Sequence, residues 1–180
     1  MNITIVDGSP SDYKNPDYTT DLTRELIGQG HKVKLFKTIE QNINYCTGCW
    51  TCWWKTPGEC MHNDDMPLVL RSYLKSDLVL HFSPLEMGFI SSKLKTVNDR
   101  TVPIVHPYVT LVNGESHHLK RYEKYPLLGL IVDSSQADEE DLKITQDLYS
   151  RMALNLKTEL KLFTTTQKTM EELTDAISHI

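Results

Sequence analysis

Positive charge is in short supply in this 180-residue chain. Its 19 Lys and Arg are outnumbered by 24 Asp and Glu, for a formal net charge of −5, and its pI is near 5.8. A nucleic acid wants a basic face to replace its counterions, so the balance argues against one as the main partner. No apolar run approaches the roughly 20 residues that a membrane helix needs. Internal repeats, low-complexity tracts and linkers are also missing. One domain over residues 1–180 is expected, long enough for a sizeable core. Met1 to Val6 leads straight into an apolar strand, so no secretory leader is expected and the chain reads as cytoplasmic. Its thiols should then be reduced unless they hold metal. Neither G-x-x-x-x-G-K-[ST] nor G-x-G-x-x-G occurs, which removes the two commonest phosphate-loop signatures.

Cysteine is scarce and concentrated. Cys46, Cys49, Cys52 and Cys60 all lie between Asn44 and Asp65, as do the three tryptophans, Trp50, Trp53 and Trp54. The spacing C-x2-C-x2-C-x7-C lets one compact loop wrap several thiolates around an inorganic centre, as an Fe4S4 cluster requires. Structural zinc prefers two separated pairs. Free or disulfide-forming thiols remain a third reading. The interleaved tryptophans suit a wall for a flat ligand, a subunit interface or plain core cover.

Along the chain, five apolar strand-like runs alternate with helical periodicity, the pattern of a three-layer α/β sandwich with a parallel sheet. Ile3–Val6 opens onto Asp7-Gly8-Ser9-Pro10-Ser11 and a polar stretch to Thr20, before Leu22, Leu26 and Ile27 recur at helical spacing. A Ser/Thr/Asn loop feeding a helix N-terminus makes a phosphate seat, and without the dinucleotide signatures it suggests a mononucleotide such as FMN. His31–Phe36 is a second strand. Asp64 or Asp65 caps the next helix, with Pro67 in its first turn. Leu78–Phe82 is a third strand in which His81 reads as a core residue. Ser83 to Ser92 follows as a tight, exposed turn, and Ser91 caps a helix ending at Asp99-Arg100. In the strand order 2-1-3-4-5, the loops after strands one and three border the ligand crevice. Val102 to His118 reads as an inserted hairpin turning at Asn113-Gly114. The basic stretch His117, His118, Lys120, Arg121, Tyr122 and Lys124 is either a solvated arm or a seat for an anionic ligand. Leu127–Val132 and Glu159–Phe163 are the fourth and fifth strands. The helix over Asp138–Leu156 is expected to turn Leu142, Leu148, Met152 and Leu156 inward, and a capping box at Thr169–Glu172 opens the last helix.

Taken together, I-V-D-G-S-P, C-T-G-C-W-T-C…C…D-D-M and F-S-P-L-E-M-G…S-S-K-L-K…N-D-R resemble the flavodoxin-like NAD(P)H-dependent FMN reductase family, in its cysteine-bearing, iron–sulfur flavoprotein branch. The resemblance implies a flavodoxin-like five-stranded parallel sheet with a β-hairpin inserted between strands three and four. It also implies bound FMN, NAD(P)H as electron donor, a small-molecule or protein acceptor and a homodimer or homotetramer. Carried over by position, Ser9, Ser11, Asn15, Thr19 and Thr20 would hold the FMN phosphate, while Pro84, Leu85, Glu86, Met87 and Gly88 would line the isoalloxazine ring. Asp133 would stand in a third flavin-side loop. Cys46, Cys49, Cys52 and Cys60 would hold a [4Fe-4S] cluster. The flavin carries the chemistry, so no side chain is assigned a catalytic role. Two other classes stay open: a non-catalytic electron carrier, and a flavin-free thiol or metal protein.

Overall fold

The computed structural model describes residues 1–112 and 114–180. In chain order the elements are β1 (Asn2–Asp7), α1 (Tyr18–Gly28), β2 (Lys32–Lys37), α2 (Thr51–Trp54), α3 (Met66–Lys75), β3 (Leu78–Glu86), β4 (Phe89–Ile90) and α4 (Ser92–Asp99), followed by β5 (Val105–Val112), β6 (Glu115–Lys120), β7 (Leu127–Asp133), α5 (Glu139–Asn155), β8 (Leu160–Thr165) and α6 (Met170–Ser178). The main sheet runs β2-β1-β3-β7-β8, and each of these pairings is parallel. This is the expected flavodoxin-like order 2-1-3-4-5. The β5–β6 hairpin, which lies between β3 and β7 in chain order, forms its own two-stranded sheet. Of the predicted turn, Gly114 adopts φ 82°, and Asn113 lies outside the described residues.

Strand residues alternate between two cores, because successive side chains leave opposite faces of a sheet. Ile3, Ile5, Leu78, Leu80 and Phe82 face α1 and α6, where Leu22, Leu26, Leu173 and Ile177 are buried. Val6, Val79, Leu128 and Leu130 face α3, α4 and α5. Both faces are covered, so the strands read as near-continuous apolar runs. The α6 capping box forms as expected: Thr169 Oγ1 accepts from the Glu172 N–H, and Glu172 accepts from the Thr169 N–H. Among the described residues no helix is long and apolar enough to cross a membrane.

Two expectations need correction, and a third is decided between its two alternatives. The turn after the third strand is itself partly sheet: β3 continues to Glu86 and folds back onto β4 through Met87 (φ 53°) and Gly88 (φ 79°). A two-residue strand is too short to carry a period. Helix α5 packs Leu142, Met152 and Leu156 on the core as expected, but it buries Thr145, Tyr149 and Ala153 beside them and leaves Leu148 48% exposed. Asp65 is the N-cap of α3 without a side-chain cap bond. Of the two expected caps it is Asp64 that bonds the helix start, its Oδ1 accepting the Met66 N–H at 3.1 Å.

Gly8 fixes how the first loop meets α4. Ser91 Oγ accepts the Leu94 N–H and donates to the Gly8 carbonyl. A Cβ at Gly8 would meet Leu94 Cβ at 2.5 Å. Gly8→Ala is therefore expected to destabilise the fold by about 1–3 kcal/mol through overpacking. Gly28, where a Cβ meets nothing within 4 Å, should gain about 0.4–1 kcal/mol on change to Ala. Urea midpoints of the two variants measure the contrast.

Candidate functional site

Two groups of sequence-predicted residues come together at the carboxyl ends of the strands and beside them. The first is a crevice of about 250 Å³ walled by three loops: Pro10, Tyr13 and Lys14 after β1, Pro84 and Glu86 at the end of β3, and Asp133 and Ser135 after β7. Strand order reverses between β1 and β3, so this is the topological switch point of the sheet. Tyr13 spans it. Its hydroxyl donates to Asp133 Oδ2 at 2.9 Å, and its ring meets Phe82 edge-on at 5.6 Å. Tyr18 stacks on the same Phe82 at 4.9 Å. Burial, then Asp133, pushes the Tyr13 hydroxyl far above its usual range, so it stays a donor. Burial alone would raise Asp133, but the Ser135 N–H and the Tyr13 hydroxyl outweigh it and lower the carboxyl.

Asp7, buried at the end of β1, sits beneath the predicted phosphate seat. It accepts the Ser9 N–H at 2.8 Å and the Thr19 hydroxyl at 2.6 Å. Thr19 is thus committed inward. Ser9 Oγ is buried without a partner among the described residues, Ser11 and Asn15 are exposed, and Thr20 is half-buried. Helix α1 begins at Asp17 with no side-chain cap bond, so orphan N–H groups remain at its positive end. On the ring side, Leu85 belongs to the crevice wall while staying largely buried at 2% exposure, whereas Met87 is fully exposed. Met87 holds a left-handed conformation that a non-glycine residue adopts only at a cost. Gly88 is favoured by its left-handed φ of 79° and by close approach, since a Cβ there would meet Asp141 Oδ1 at 2.4 Å.

The second group is the cysteine loop. Left-handed Gly48 and Trp50 fold C-T-G-C-W-T-C back on itself. All four cysteines then line one pocket of about 130 Å³ with Trp50, Trp53 and His62. Cys46 and Cys49 are exposed, Cys60 is half-buried and Cys52 is buried. Hydrogen bonds from Thr51 lower the Cys49 thiol. Burial raises Cys52, and the thiolates of Cys60, Cys46 and Cys49 raise it further. The donor set is all sulfur, walled by tryptophan, which suits a soft metal centre. Even so, no three His, Cys, Asp or Glu among the described residues stand ready to hold a single metal ion. The thiols share one pocket without closing on one point.

Sequence reasoning missed what closes the loop. Asn42 N–H donates to Asp65 Oδ2 at 2.8 Å and Asp65 N–H returns to the Asn42 carbonyl at 2.9 Å. One step inward, Asn44 N–H donates to Asp64 Oδ2 at 3.0 Å. Arg100, at the end of α4, grips both sides: Nη1 donates to the Asn44 carbonyl at 2.6 Å and Asp64 Oδ2 at 2.7 Å, and Nη2 to Asp64 Oδ1 at 3.0 Å. Both side chains are at most 1% exposed. Burial opposes the Arg100 charge, but Asp64, with the thiolates of Cys60 and Cys46, raises its pKa. The residues of N-D-R were visible in sequence, but their partner 36 positions upstream was not.

Burial alone would raise the Asp64 carboxyl, yet hydrogen bonds from Arg100, Asn44 and Met66 hold it well below its ordinary 3.8. A depressed carboxyl stabilises the fold above its unfolded value and loses that contribution as pH falls through the folded one. Arg100→Met should therefore cost about 3–5 kcal/mol at neutral pH, by stranding a buried carboxylate. The deficit should shrink as pH falls toward about 4, because the carboxyl stranded in the variant, raised by burial and no longer held down by Arg100, takes up a proton there. Urea midpoints at pH 7 and pH 4 read it, and an equal deficit at both would deny the charge a part.

Elsewhere, internal partners absorb several of the other flagged residues. His81 is buried between Tyr73 and Tyr149, its pKa lowered by burial to about 3, so it is a neutral core residue. His117 bonds Asn155 and Glu115, Arg121 donates to the Val105 carbonyl and Lys124 pairs with Asp77.

No family model matches the chain. It is 38% identical over 100 residues to an iron–sulfur flavoprotein of Archaeoglobus fulgidus, covering 55% of this chain and 44% of that one. An iron–sulfur flavoprotein of Methanocaldococcus jannaschii is 30% identical over 108 residues, covering 58% and 53%. The chain thus spans about half the length of these curated relatives. Among solved structures, a flavone reductase superposes with TM-score 0.64 at 14% identity, over 100% of this chain and 60% of that one. An FMN-dependent NADH-azoreductase of Bacillus anthracis, solved with FMN, superposes with TM-score 0.59 at 13% identity, over 99% and 98%. At such identities these structures establish the fold. The resemblance drawn from the motifs is borne out: this chain is a flavodoxin-like α/β protein similar in sequence to the iron–sulfur flavoproteins.

Proposed function

We propose that residues 1–180 form a single flavodoxin-like domain of an FMN-dependent oxidoreductase, which takes electrons from NAD(P)H and passes them to an acceptor. The observation that carries this reading is the convergence of the loops after β1, β3 and β7 on one crevice at the switch point. The names of the curated relatives support it. Bound FMN would supply hydride acceptance and stepwise electron release.

The chain's own residues do the seating. The unpartnered Ser9 hydroxyl, the exposed Ser11 and Asn15, Thr20 and the uncapped end of α1 would receive the phosphate. Thr19 serves one layer down, holding Asp7. Pro84, Glu86 and Met87 would border the ring, with Gly88 setting the turn that presents them. Glu86 would disfavour negative charge on the ring beside it. The crevice is small against the roughly 300–1,000 Å³ of typical ligand sites, so Tyr13 must swing from Asp133 to admit a ring. Cys46, Cys49, Cys52 and Cys60 would hold the iron–sulfur cluster.

FMN added to the purified chain should lose fluorescence with a one-to-one endpoint and raise the melting temperature. Ser9→Ala should weaken binding by roughly 10–100-fold, the worth of a hydrogen bond to a charged group. NAD(P)H should then be oxidised in the presence of an added acceptor. Flavin binding without NAD(P)H turnover would favour an electron carrier, and no flavin binding would overturn the reading.

For assembly, we infer a homo-oligomer built on the β5–β6 arm, which leaves Tyr108, Val109 and Leu111 61–73% exposed. Light scattering should give at least a dimer, and Leu111→Lys should shift it toward monomer.

A further inference from the structure

Away from the crevice and sharing none of its lining lies a cavity of about 390 Å³ between α4, α5 and the β5–β6 arm. Trp53, Phe89, Met152 and Leu156 give it apolar walls. Trp53 is fixed there: its indole N–H donates to the carbonyls of Val102 and Val105 at 3.2 and 3.1 Å. The His118 ring lies 4.9 Å from it. Two polar atoms on the lining are unmet. Asn98 spends its amide N–H on the Tyr149 hydroxyl at 3.0 Å, which leaves Oδ1 buried without a partner among the described residues, and His118 Nδ1 is in the same position. Buried polar atoms are costly to leave unmatched, so each such atom calls for an explanation. At the rim, Lys95 and Asp99 pair with each other at 2.5 Å, so the cavity offers no net charge to an ion.

We propose that this cavity is a binding site for a small, neutral, planar aromatic molecule carrying an N–H or O–H on its edge. The ring packs on the apolar walls, and Asn98 turns its side chain so that Oδ1, closed to solvent in the free protein and able only to accept, meets the donor. Fixed aromatic walls with one or two placed polar atoms are the usual makeup of a small-molecule site. Trp53 also lines the cysteine pocket, so a ligand here rests on the same side chain that walls the thiols. The proposal is independent of flavin binding.

Indole and indene, which differ by N–H against CH₂, test it on the full chain by isothermal titration. Indole should bind roughly tenfold tighter than indene. Asn98→Leu should remove that preference while retaining indene, and His118→Phe should keep it. Met152→Trp, which fills the space without altering Asn98 or His118, should abolish both. Equal affinity for the two probes, no binding of either, or indole binding unchanged by Met152→Trp would overturn the proposal and leave the cavity a place for water.

Discussion

One buried ion pair ties the thiol-bearing part of this chain to its sheet. Asp64 sits at the end of the cysteine loop, Asn44 at its start and Arg100 at the end of a helix packed on β3. A guanidinium offers a rigid fork of donors, and here it meets a carboxylate bidentately and a carbonyl besides. Removing either partner strands the other charge in the interior, so the loop ends cannot part without a large cost. The span from Cys46 to Cys60 has only one turn of helix of its own. It inherits its order from this clamp and from Trp53, whose indole is held by two carbonyls.

The crevice depends on a different constraint. Parallel strands end on one side of the sheet, so the loops that follow β1, β3 and β7 have to meet there. Close approaches refine the meeting: Gly8 against Leu94, and Gly88 against Asp141. Asp7 then places a fixed acceptor under the first loop and aligns Ser9 and Thr19 around it. The crevice and the cysteine loop are thus built by separate means: backbone topology forms one, and a side-chain ion pair the other.

How much of this was legible in the sequence follows from the range of the interactions. The sheet order could be read because each core strand is an apolar run and each helix has its own period, both local signals. His81 could be read as core from its apolar neighbours. The Thr169–Glu172 box lies within four residues and was equally visible. Leu148 was placed inward because leucine is the more apolar residue, yet packing selected Thr145, Tyr149 and Ala153. The roles of Asp7, Tyr13 and Arg100 were hidden, since each depends on a partner 12 to 120 positions away. The cysteine spacing named the donors, and their shared pocket with Trp53 and His62 emerged only from the fold.

The clamp is the claim on which the cysteine loop stands, and amide hydrogen exchange tests it most directly. The N–H groups of Asn42 and Asn44, two exposed residues, donate to Asp65 and Asp64 at 2.8 and 3.0 Å. If the clamp holds the loop, these two amides exchange far more slowly than those of a free loop, although they are exposed. Exchange at the rate of a free loop, with β3 still protected, would contradict the account.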